Sequence, residues 1–239
     1  MNVPDALPTL SAGSHDPHHG EACVMEYVSL LAGEEWSDRP ECTHPMLAHE
    51  ARTTNDLLRD SDRTRLVPLI GRLFGTTEDS SELRARLRLA QARQVMTLLE
   101  PDSRSRVVSA IEEAEAWFGK DGDSDDVRHA IDEAMAYPRH PGDLDAAHTS
   151  FHLHSSRVFT FVMTPELEPA EAYAVKALVV AHLVAASGEC RADCGSEPAR
   201  ARRMVNDLAR LIDVYDEVTG RVEAPSTQLD VRELVQSLQ

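Results

Sequence analysis

Residues 169–187 are nearly all Ala, Val and Leu, and from Val175 onward only Lys176 and His182 interrupt the run. A segment this long and apolar reads as a helix, and a helix apolar nearly all round needs cover on every side. The rest of the chain can supply helical cover. Apolar residues recur at helical spacing in 45–58 (Leu47, Ala51, Leu58), 103–118 (Val107, Ile111, Ala114, Phe118), 198–218 (Met204, Leu208, Leu211, Ile212, Tyr215) and 229–238 (Val231, Leu234, Val235, Leu238). The one β-branched and aromatic run, Val158 to Met163, has no second strand to pair with and is read as helix. Aromatic residues make up only 5% of the chain, a mix that suits helices better than sheets. The expected fold is therefore all-α: a compact bundle of eight to ten helices. An irregular arm, 1–20, precedes a single helical domain, 21–239, made of a motif unit over 13–76 and a helical remainder over 77–239.

Local signals divide the helices. Gly33 ends an apolar segment that starts at Ala22. Thr43 or His44 can cap the next helix, with Pro45 in its first turn. Pro68 should kink or split a segment that starts near Ser61. Ser80 or Ser81 caps a helix that Pro101 stops, and its outer positions carry Arg84, Arg86, Arg88 and Arg93. Glu112, Glu113 and Glu115 on the following helix suit surface ion pairs with those arginines. Lys120 to Asp126 lacks the glycine and distal glutamate of a calcium loop and reads as a solvated turn. Pro138 to Gly142 is the clearest linker.

Charge restricts the partners. Lys and Arg number 24 against 41 Asp and Glu, a net charge of −17. Such a surface repels phosphate backbones and anionic membranes, so a protein partner is expected in preference to nucleic acid or lipid. No apolar run is expected to cross a membrane, and the N-terminus lacks the basic head and apolar core of a signal peptide. A cytoplasmic location is the resulting expectation, with reduced thiols.

Most of the chemistry lies between Gly13 and Asp56, which hold five of the eleven histidines and two of the four cysteines. Cys23 stands at the start of a helix, where the dipole favours a thiolate, and His15, His18 and His19 are close in sequence. It is a candidate nucleophile, a metal ligand, or a small buried apolar residue. Glu26, one turn on, must be paired, protonated or wet if buried. Arg39, Arg52 or Arg63 can pair it, or it acts as a general acid or base or orients a ligand. His15, Cys23, Cys42 and His44 compose a Cys₂His₂ set for zinc, provided that the Glu34–Glu41 loop returns along the helix so that the cysteines meet. Asp38 is a turn residue or a further ligand, and Asn55-Asp56 cap a helix end or face the same site. His148 and His152 lie one turn apart with His154 beyond. Cys190 and Cys194 make a poor half-site with His182 as their only candidate histidine.

The run Gly13-x-His15, Gly20-x-x-Cys23-x-x-Glu26, Gly33-Glu34, Ser37-Asp38-x-Pro40-x-Cys42-x-x-Pro45 and Asn55-Asp56 resembles a family of actinobacterial and actinophage proteins over roughly residues 13–76. The resemblance implies no activity. It implies that His15, Cys23, Glu26, Asp38 and Cys42 belong to a shared pattern and that His44 falls outside it, which leaves Asp38 or a water as the alternative fourth ligand.

Three functions remain open. The first is a helical protein whose N-terminal Cys/His/acid site holds zinc in a structural or regulatory role. The second is an enzyme with Cys23 as nucleophile, His15 as base and Glu26 or Asp38 as orienter. The third is an acidic adaptor for a protein partner, with no chemical site. No phosphate-binding loop, nucleophile elbow or dinucleotide fingerprint is present.

Overall fold

The computed structural model describes residues 8–136, 167–186, 191 and 199–221. Expectations for helix 143–158 with its three histidines, for Val158–Met163, for Cys190 and Cys194, and for helix 229–238 lie outside these residues. The fold is all-α. Among the described residues the helices are α1 (Val24–Ala32), α2 (Pro45–Leu57), α3 (Asp60–Arg63), α4 (Val67–Leu73), α5 (Ser81–Met96), α6 (Arg104–Glu115), α7 (Ser124–Ala136), α8 (Pro169–Ala186) and α9 (Ala199–Thr219). Two short strands, β1 (Thr9–Leu10) and β2 (Glu21–Ala22), pair in parallel. The arm is therefore not irregular throughout, as expected from its lack of periodicity; strands of two residues are too short to show any.

The chain divides into two compact units, residues 1–78 with 201–239, and residues 79–200. In the first, α1 packs against α2 and α4. α1 starts at Cys23, its N-cap, and ends at Gly33, whose left-handed backbone (φ 69°) closes the helix. Val24, Met25, Val28 and Leu30 are buried on it. α2 starts at His44, whose ring accepts the N–H of Met46, with Pro45 next in line. Pro68 splits its segment as expected, and stands in the first turn of α4, where its missing N–H leaves no bond unmade. α4 buries Leu69, Ile70 and Leu73. Arg72 joins it to α9 through Asp213 at 2.7 Å and Asp216 at 2.9 Å.

The second unit is built round α8, which packs against α5, α6 and α7. Its core includes Leu89, Leu99, Val107, Ile111, Leu178 and Val180. Each such side chain, once buried, stabilises by about 1.5–3 kcal/mol. α8 is long and apolar enough to cross a membrane, contrary to the expectation that no segment would be. Most of it is buried among its neighbouring helices. Trp117 stacks on Tyr173 with ring centroids 5.2 Å apart. Of the expected ion pairs between the arginines of α5 and the glutamates of α6, Arg93–Glu115 forms. Arg86 pairs within its own helix with Glu82, and Arg84 pairs with Asp79 and Glu171. Arg88, expected outside, is buried. Glu171 is buried too, and burial pushes its carboxyl above the usual range despite Arg84.

Candidate functional site

The motif segment folds the arm back onto α1 and α2. Thr9 donates its N–H to the carbonyl of Gly20 at 2.8 Å, and Ser11 to that of Ala22 at 2.9 Å. Gly13, at φ 85°, turns the chain so that its N–H meets the Asp56 carboxylate at 2.8 Å. Asn55 Nδ2 donates to the Ser11 carbonyl at 2.8 Å. Trp36 Nε1 donates to the His15 carbonyl at 2.8 Å, and the Tyr27 hydroxyl donates to the Pro8 carbonyl.

Glu26 is the centre of this arrangement. Its Oε1 accepts the His15 N–H at 2.6 Å, and its Oε2 accepts the Cys23 N–H at 2.6 Å and lies 3.0 Å from His15 Nδ1. Cys23 Sγ accepts the Glu26 N–H at 3.4 Å, which completes a reciprocal capping box. Glu26 is only 1% exposed, and these donors, with the positive end of the helix dipole, are what stabilise a carboxylate there. Its side-chain partner is His15, not one of the expected arginines. Arg39 and Arg52 approach Asp38 instead, at 3.9 and 3.7 Å. Arg63 donates to the carbonyls of Asn55 and Leu58, at 2.9 and 2.8 Å, and pairs with Asp60.

Cys23 is 1% exposed, and burial pushes its thiol up to about 12, with the Glu26 charge adding to the effect. The N–H bonds at the helix start act the other way, as expected, but burial outweighs them. A thiol that stays protonated and covered, as Cys23 is here, is not an activated nucleophile. Asp38 faces Arg39 and Arg52.

The four proposed zinc ligands are not brought together. Asn55 and Asp56, at the C-terminal end of α2, hold Ser11 and Gly13, which adjoin Ala22 and hence Cys23. Cys42 and His44 precede the other end of α2, a helix about 20 Å long at 1.5 Å per residue. The loop expected to return along α1 closes at that helix's far end, where the Glu34 carboxylate accepts the Glu41 N–H at 2.9 Å. The Cys42 carbonyl accepts the Gly75 N–H at 2.9 Å, and its thiol, pushed up by burial, lies 3.8 Å from Thr43 Oγ1. His44 donates its N–H to Thr76 Oγ1 at 3.1 Å, and its ring, used as the α2 cap, lies 5.9 Å from that of Tyr215. Among the described residues no three His, Cys, Asp or Glu side chains are grouped to hold a metal. As placed here, His15, Cys23, Cys42 and His44 form no zinc-binding group.

Two parts of the cluster escape sequence reasoning: Trp36 and Arg63 act through carbonyls, which no side-chain motif reveals. Asn55 and Asp56, expected to cap a helix end or face the same site, reach the arm at Ser11 and Gly13. His182, expected to be a hydrogen-bonded core residue, has no partner for Nδ1 among the described residues, and burial pushes it down to about 4. Comparison with protein-family models, curated proteins and solved structures gives no match.

Proposed function

We propose that this chain is an acidic protein–protein adaptor and that its Cys/His/Glu cluster is a folding staple. The observation that carries this reading is Glu26: both carboxylate oxygens are engaged by His15 and Cys23, leaving the cluster to hold the arm. The inert Cys23 thiol supports it from the side of chemistry. The partner class is set by charge. Glu112, Asp121, Asp123, Asp125 and Asp132 are exposed on α6, the turn after it and α7, so a basic protein surface is the complementary partner.

The experiment is co-purification from the native host at low and high salt, with sizing of the complex. Reversing Asp121, Asp123 and Asp125 to Lys should abolish a stoichiometric complex that Cys23→Ser leaves intact. One tightly bound zinc per chain, or a complex insensitive to both salt and charge reversal, would overturn the reading.

A further inference from the structure

The buried side of α4 carries Leu69, Ile70 and Leu73, whereas Val67, Pro68, Gly71 and Phe74 are exposed. Val67 is 53% and Phe74 50% exposed, and none of these four side chains bears a charge. Phe74 comes seven residues after Val67, two helical turns, so both lie along one stripe. The described chain ends beside this stripe. Gly220 turns the backbone at φ 67°, and Arg221 donates to the carbonyls of Arg72 and Phe74, at 2.5 and 3.1 Å. Its Nε lies 2.7 Å from Asp216 Oδ1. Residue 221 is thus fastened to the C-terminal end of α4 by two hydrogen bonds, with Asp216 of α9 holding the same guanidinium.

The sequence beyond residue 221 matches the stripe. Val231, Leu234, Val235 and Leu238 recur at the i, i+3, i+4, i+7 spacing of a one-sided helix. Val231 and Leu238 are seven positions apart, as are Val67 and Phe74, the C-cap of α4, a spacing worth about 10 Å at helical rise. The intervening residues 222–228 can extend about 23 Å, enough to reach any point on α4. We propose that the Val67–Phe74 face of α4 is the seat of the chain's own C-terminal segment, residues 229–238, docked through that apolar stripe. The tether at Arg221 favours this occupant over a second copy or a separate protein, because a short linker holds the segment at millimolar effective concentration.

Carbene footprinting of the full chain reads the face from one side. Labelling of Phe74 should be low in the unaltered protein, rise several-fold in a Leu234→Asp/Leu238→Asp variant, and stay independent of protein concentration. Hydrogen exchange reads it from the other side: Phe74→Asp, a change at an exposed position, should speed amide exchange over 231–238 about tenfold. Strong labelling of Phe74 in the unaltered chain would overturn the proposal. So would protection that disappears on dilution, which marks a second copy, or protection that survives both tail substitutions, which marks another ligand.

Discussion

His15 Nδ1 lies 3.0 Å from Glu26 Oε2, and the backbone N–H of the same histidine donates to the other oxygen of the same carboxylate. One side chain thus holds both the backbone and the ring of a residue eleven positions away. Glu26→Gln retains one acceptor oxygen but sets an amide NH₂ against N–H donors. It should destabilise the first unit by about 1.5–3 kcal/mol, the range for hydrogen bonds to a charged group. Urea unfolding measures the loss, and faster amide exchange at Thr9 and Ser11 would locate it in the arm. An unchanged midpoint with unchanged exchange would remove Glu26 from its central place.

Cys23 should behave as a cap and not as a reagent. With its thiol pushed up to about 12 and covered, iodoacetamide at neutral pH should label it only after unfolding. Ser is a better N-cap than Cys, so Cys23→Ser should shift stability by no more than about 1 kcal/mol in either direction. Rapid native alkylation of Cys23, read by peptide mass spectrometry, would contradict this.

Two half-buried groups should respond to acid in opposite directions. His182 is pushed from 6.5 down to about 4 by burial, so the unfolded chain binds its proton more readily than the folded one. The neutral ring is fully accommodated above pH 6.5, and stability is lost as pH falls from there towards 4, by roughly 2 kcal/mol. Asp207 is pushed from 3.8 up to about 6, by burial against the opposing charges of Arg203 and Arg210. Here the folded state binds the proton more readily, so the fold is favoured at low pH and that contribution is lost as pH rises from 3.8 through 6. His182→Leu should flatten the acid limb of a stability–pH curve. Asp207→Asn should stabilise at neutral pH and have little effect at pH 4. Denaturant titrations across that range check both signs.

Gly122 is required by a close approach. A Cβ there would sit 2.5 Å from Pro169 Cγ and 3.0 Å from the Trp117 ring. The proline ring cannot swing aside, so Gly122→Ala should cost the second unit about 1–3 kcal/mol through overpacking. A thermal melt that matches the parent would show that the turn before α7 yields freely.

The helices were legible because each carries its own punctuation. Gly33, Pro45, Pro68 and Ser80 mark their ends by local sterics and hydrogen bonding, and local physics is what a sequence displays. The apolar run after Pro169 likewise announced α8. The cluster round Glu26 was legible only as an ingredient list. His15, Cys23, Cys42 and His44 are plausible zinc ligands by type, but the direction in which α2 runs sends Cys42 and His44 away from Cys23, and no spacing rule contains that direction. The pairing of Asp38 with Arg52, in preference to Glu26, depends on the same tertiary choice. Glu26 was singled out as a buried carboxylate in need of a partner, yet its partner came from the arm that showed no periodicity.

The chain's two tryptophans fall one to each unit. Trp36 is tied by its indole N–H to the His15 carbonyl, and Trp117 is stacked on Tyr173. Each indole is therefore a built-in optical probe of a different event: emission from position 36 reads the seating of the arm, and emission from position 117 reads the closing of α6 onto α8. Trp36→Phe and Trp117→Phe would each yield a protein with a single colour channel, in which the melting of one half can be tracked without interference from the other.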